Sequence, residues 1–286
     1  MQRTNRRKVT KKRASRNCFI LVISIILIAS SLRIYSVLHK KTVVAEDKLP
    51  SNKTNVNDIS THDKTEVVDN SENSTFPSLE ETAYKDKYNN IIIKNTDDIL
   101  VLVNKSRNLP SDYEPKDLVV PDVEFSFKEN LQKKYMSKDA AKSLEELFND
   151  AKKHEINLYA VSGYRSYQRQ SQIFENKAEK YGRETANKTS AVPGQSEHQT
   201  GLAMDVSCSS VNYQLTERFG QTPEGMWLKE NAHRFGFIVR YPKDKIDITG
   251  YSYEPWHIRY VGKEAAKIIM ENNITFEEYF TDSNSK

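Results

Sequence analysis

The sequence predicts an α+β domain built on a mainly antiparallel sheet with flanking helices, preceded by one transmembrane helix and a disordered stalk. Short segments of strand character are mixed with amphipathic helices without strict alternation, and the last of them are close enough to be joined by short turns. The first seventeen residues differ sharply from the rest: they hold eight Lys or Arg and no acid, and an apolar run follows them directly. Removing that block from the net +4 of the chain leaves −4, so no basic groove for nucleic acid is suggested.

Residues 1–17 read as a basic cytoplasmic tail. Residues 18–32 carry no charge, and Arg33 interrupts the run before 34–38. The whole stretch 18–38 is adequate for a span if Arg33 snorkels toward the outer interface. Cations directly ahead of an apolar run hold that side in the cytoplasm. The expected location is therefore the cell membrane, single-pass, with the bulk of the chain outside. A cleavable signal peptide is the alternative, with Ala29-Ser30-Ser31 a loose match to a cleavage site; either way the remainder is exported. Cys18 and Cys208 then lie on opposite sides and cannot pair, so the exported domain must rely on its core.

Residues 39–90 are rich in Asn, Asp, Ser, Thr, Lys and Glu and poor in aromatics. Such a stretch cannot bury enough apolar surface to offset its ordering entropy, which predicts a stalk. The domain proper is expected over 91–286. Ile99 to Val103 reads as a buried strand. "SKDAAKSLEELFNDAKKHE" reads as a helix, with Ser137 as N-cap and Ala140, Leu144, Leu147, Phe148 and Ala151 on one face. "INLYAVSGY" alternates as a strand ended by Gly163. "SYQRQSQIFENKAEKYG" and "PEGMWLKENAHRFG" are helices closed by Gly182 and Gly236. "FIVRYP" and "EPWHIRYV" follow as strands, and "GKEAAKIIMENN" as a last helix.

The chemistry-bearing residues gather in three of these segments. In "SEHQTGLAMDV", a strand over 201–207 turns Leu202, Met204 and Val206 to one face and Ala203, Asp205 and Ser207 to the other. His198 precedes it on a loop that Gly201 allows to fold back. In "EPWHIRYV", His257 and Arg259 oppose an apolar face of Trp256, Ile258 and Tyr260, and Pro255 breaks the geometry so that Glu254 can reach the side of His257. Two histidines, one aspartate and a free glutamate suit a zinc site with an open position for water, whose pKa falls to about 7 on the metal. A carboxylate beside that water serves as base and then as acid, which is the chemistry of amide hydrolysis. Arg165, in the strand-to-helix turn of "SGYRSYQRQ", suits either a substrate carboxylate or a developing oxyanion.

"SGYRSYQRQ", "SEHQTGLAMDV" and "EPWHIRYV" together resemble the signature blocks of the VanY-like D-alanyl-D-alanine carboxypeptidases, zinc peptidases of the bacterial cell wall. The resemblance covers about residues 98–270. It implies His198, Asp205 and His257 as zinc ligands, Glu254 as catalytic base and Arg165 as the substrate-binding and transition-state arginine. It also implies contacts from Gln170 and Ser196 to the terminal D-alanine. The expected activity is removal of that D-alanine from peptidoglycan stem peptides, with one Zn²⁺ per domain. An L,D-carboxypeptidase or wall endopeptidase of the same fold, or a non-catalytic zinc module that binds wall, are the alternatives. His39, His62, His154 and His233 have no motif around them, and Trp227 and Trp256 are expected in the core.

Overall fold

The computed structural model describes residues 78–283. The expected basic tail (1–17), transmembrane run (18–38) and stalk up to residue 77 lie outside the described residues. Among the described residues no helix is long and apolar enough to cross a membrane.

Ordered structure begins earlier than composition predicts. Strand β1 (Ala83–Lys85) pairs antiparallel with β2 (Ile91–Ile93), and β2 pairs in parallel with β3 (Arg107–Asn108). The polar residues that suggested a stalk over 78–90 instead hold a turn: Asp86 accepts hydrogen bonds from the Tyr88 and Asn90 amides at 2.8 Å each. Buried Arg107 adds to this by donating to the Leu79 carbonyl and the Thr82 hydroxyl. Local polar bonds and one long-range guanidinium thus replace the missing apolar surface.

Residues 99–103 also depart from the sequence expectation. They are not a strand, although Leu100 to Val103 are buried. Their carbonyls are taken by side chains: Arg259 Nη2 donates to Ile99 and Val101, and Arg107 Nε to Leu102. A guanidinium satisfies a buried carbonyl as well as a neighbouring strand does.

Two further short strands, β4 (Leu118–Val119) and β5 (Met136–Ser137), pair antiparallel and lead into the helix Lys138–Lys153. Ser137 occupies the N-cap, yet its hydroxyl turns to Asp117, whose own carboxylate accepts from the Lys138 amide at 3.1 Å. The cap is supplied across the chain rather than locally. All five predicted core positions of this helix are buried, with Leu144 and Leu147 fully so. Burial of each such leucine contributes about 1.5–3 kcal/mol.

The scaffold of the site is a four-stranded antiparallel sheet in the order β6-β7-β9-β8, from β6 (Tyr159–Ser162), β7 (Ala203–Ser207), β8 (Phe237–Tyr241) and β9 (Glu254–Tyr260). One face packs Ala160, Met204, Val206 and Ile258 against the 138–153 helix. On the other face, at one end, Ile238 of β8 packs against the helix Lys263–Glu271 and the helix Phe276–Ser283. Every residue of β7 is buried, so its polar positions must be paired.

Candidate metal centre and cleft

On that second face, β7 and β9 set Asp205 directly opposite His257. His198 stands in the single 3-10 turn Glu197–Thr200 just before β7, and Gly201 closes the turn in the left-handed region at φ 70°. The result is a cluster: one ligand atom from each of His198, Asp205 and His257, all buried, lies within 4.8 Å of the others. His198 Nε2 is 3.4 Å from Asp205 Oδ2, and His257 Nδ1 is 3.0 Å from Asp205 Oδ1.

The outward nitrogen of each imidazole has its own acceptor. His198 Nδ1 is 2.8 Å from the Gly163 carbonyl, and His257 Nε2 is 3.2 Å from Glu197 Oε2. In the tautomers that carry their protons there, as metal ligands do, the inward lone pairs of His198 Nε2 and His257 Nδ1 would converge on one point beside a carboxylate. Gly163 is required at the first of these contacts, since a Cβ on it would lie 2.5 Å from the Tyr135 carbonyl oxygen. Two imidazole nitrogens and one carboxylate oxygen, with solvent access on one side, fit a zinc ion with an open fourth position.

The electrostatics agree with that fit. Burial disfavours the His257 imidazolium, but Asp205 and Glu197 outweigh it and raise its pKa to about 9 in the metal-free site. Burial also opposes the Asp205 carboxylate, yet the two imidazoles hold it well below the usual carboxylate range. His198 moves downward because it is buried and faces Arg165. A cation held by these three residues would take the place of a shared proton.

The cluster forms the floor of a cleft of about 500 Å³, lined also by Arg165, Ser196, Tyr251 and Glu254. Glu254 reaches it through a bulge: Val239 faces Ile258 on β9, but Tyr241 faces Glu254. The extra β9 residues around Pro255 swing the carboxylate to the His257 side, as the sequence suggested. Desolvation pushes the Glu254 carboxyl up to about 7. Trp256, expected in the core, packs partly against it and also lines the cleft.

Arg165 projects from the turn after β6, and its amide donates to the His198 carbonyl at 3.1 Å. Its guanidinium is held by Gln170 Oε1 at 2.8 Å and the Ser162 hydroxyl at 3.2 Å. Gln170 itself differs from the expectation. It is fully buried, it does not line the cleft, and its amide nitrogen is used by the Ala191 carbonyl at 2.6 Å. Its oxygen aims Arg165 and its amide nitrogen is spent on Ser190 and Ala191, which leaves no polar atom for substrate. Replacing Gln170 with Leu is expected to lower kcat/KM by about ten- to a hundredfold, the usual scale for a misplaced binding group. Zinc content should not change, and steady-state kinetics with metal analysis would check both.

Comparison with known proteins agrees with this geometry. The family model described as VanY, D-alanyl-D-alanine carboxypeptidase, matches residues 133–263. YodJ of Bacillus subtilis, whose carboxypeptidase assignment is itself provisional, is 54% identical over 74% of this chain and 78% of its own length. The chain belongs to the VanY family. Among solved structures, the LD-carboxypeptidase LdcB is 54% identical with a TM-score of 0.68, over 70% of this chain and 92% of that one. A variant of the vancomycin-resistance D,D-pentapeptidase VanY, in complex with Zn(II), is 36% identical with a TM-score of 0.51, over 63% and 97%. The chain is thus a peptidoglycan peptidase of the VanY type, and a zinc complex is known within its family.

Around this VanY-type site lies a buried ion network that sequence reading missed. Glu197 Oε1 accepts from Arg240 Nε and Arg259 Nη1 at 2.8 Å each, and all three side chains have no exposure. Arg240 turns its other two nitrogens to Glu277, at 2.8 and 2.6 Å. The signal was present in "FIVRY" and "HIRY": an arginine within a run of apolar strand residues calls for a buried partner. The identity of that partner was not readable, because Glu197 and Glu277 are distant in the chain.

Proposed function

We propose that this chain is a zinc carboxypeptidase that removes the terminal D-alanine from peptidoglycan stem peptides. The observation that carries this is the convergence of His198, Asp205 and His257 beneath a cleft that also presents Glu254 and Arg165. His198, Asp205 and His257 would hold the ion, which when bound polarises the scissile carbonyl and makes water acidic. Arg165, aimed by Gln170, binds the terminal carboxylate or the developing oxyanion with its free guanidinium edge. Ser196, buried at the cleft wall, offers a hydroxyl beside it. Glu254 takes the proton of the attacking water and returns it to the leaving amine.

Two substrates fit this reading. Likeness to LdcB, at 54% identity against 36% for VanY, favours L,D-cleavage of a tetrapeptide. The family description and the D-alanyl-D-alanine carboxypeptidase of Enterococcus faecalis, 34% identical over 75% of this chain, favour D,D-cleavage of a pentapeptide. Incubating the chain with each peptide and weighing the products separates the two. Loss of one terminal alanine, abolished by chelator and restored by zinc, is the expected result. A wall-binding module would bind zinc and cleave neither.

For the N-terminal part, we propose that residues 18–38 anchor the chain with its peptidase domain outside the cytoplasm. Membrane fractionation is expected to recover the intact chain with membranes, and protease added to whole cells is expected to reach residues 78–283. Release of a shortened chain into the medium would favour signal cleavage instead.

A further inference from the structure

The four groups of the buried ion network carry two negative and two positive charges, so the cluster is neutral as built. Glu197 is shared: Oε1 serves two arginines, while Oε2 faces His257 Nε2 at 3.2 Å. That division requires each arginine to be partly occupied elsewhere. Arg259 is occupied by the carbonyls of Ile99 and Val101. Among the described residues, the remaining hydrogen bonds of Arg240 go to Glu277, which grips both of its terminal nitrogens and is itself 15% exposed, with Asn104 Nδ2 donating to it at 3.3 Å. Glu277 sits on the helix Phe276–Ser283, beyond the residues matched by the family model.

We infer that Glu277 is a positioning residue for the metal centre, acting through Arg240 and Glu197 on the His257 imidazole. It balances Arg240, so Glu197 keeps one oxygen for His257 Nε2 and the ligand ring stays oriented with its inward nitrogen free. Without that balance, a buried positive charge stands behind the site and opposes a dication. Glu197 is also drawn toward the arginines and away from His257. The C-terminal helix is therefore part of the apparatus that sets metal affinity. This inference rests on the zinc reading above.

Charge and packing roles predict different signs. In the full chain, Glu277→Gln keeps the shape and removes the charge, and is expected to weaken zinc about ten- to a hundredfold in a chelator competition, the usual effect of losing an outer partner. Arg240→Met removes the opposite charge and is expected to leave zinc affinity unchanged or higher. The pair Arg240→Met with Glu277→Gln restores neutrality, and is expected to return within about threefold of the parent. Circular dichroism establishes that each variant is folded. Equal weakening in both single variants, or no change in Glu277→Gln, would overturn the inference. Should Glu277→Gln not fold, Arg240→Met decides alone, since weakened zinc there contradicts the charge account. A parent chain that binds no zinc would instead overturn the proposed function, and this inference with it.

Discussion

Replacing Glu254 with Gln is expected to lower kcat by about 10²- to 10⁴-fold, the range lost when a general base is removed. Zinc stoichiometry should stay at the parent value, because Glu254 is outside the ligand cluster. The amide keeps the volume at the cleft wall and removes only the proton acceptor. A variant that retained a tenth or more of the parent turnover would exclude Glu254 as the base. The pH dependence has a definite direction. Desolvation raises this carboxyl to about 7 in the metal-free cleft, so at lower pH it is protonated and cannot accept. Activity is expected to rise with pH along an acid limb at or below 7, since a nearby dication draws the limb downward. The same upward shift favours the folded metal-free domain below the ordinary pKa of 4.5 and no longer does so above about 7.

Replacing Glu197 with Ala is expected to cost the domain about 3–5 kcal/mol of stability, because it strips the shared acceptor from two fully buried guanidinium groups. For a domain of this size that corresponds to a fall of roughly 6–20 °C in Tm. The effect is larger than for a surface ion pair such as Lys116 with Asp97, whose side chains are 86% and 59% exposed. Burial here opposes the Glu197 carboxylate, but the two arginines and His257 more than reverse this and hold its pKa far below the usual range. Thermal unfolding of the metal-free protein isolates this effect from zinc binding. A midpoint within about 2 °C of the parent would show that water or a neighbour replaces the lost carboxylate.

The site was legible to the extent that its residues follow local periodicity. Asp205 and His257 each stand on the polar side of a short alternating strand, and alternation alone puts them on one face. Gly201 and Pro255 marked the two places where the backbone departs from regularity to bring in His198 and Glu254. Gln170 was harder. Helical spacing places it near Arg165, but only packing shows that its amide is spent on Arg165 and Ala191 instead of the cleft. Residues 99–103 misled for a related reason: an apolar run predicts burial, and burial was correct, but strand pairing depends on what else can satisfy the carbonyls.

From the sequence by itself came the α+β class and the amphipathic helices, because each depends on residue type and short spacing, while three separate blocks, taken together as a family resemblance, picked out the candidate metal cluster and its companion acid and arginine. The tertiary structure alone decided which nitrogen of each imidazole faces Asp205, that Gln170 backs Arg165, and that Glu197 links His257 to Arg240, Arg259 and Glu277. Apart from Gln170 with Arg165, five residues apart, the outward bonds of the imidazoles and the bonds of the Glu197 network are contacts between segments 35 to more than 60 residues apart, such as His257 with Glu197. Side-chain period constrains the face a residue takes, whereas the partner it meets there depends on how strands and helices from distant parts of the chain pack together.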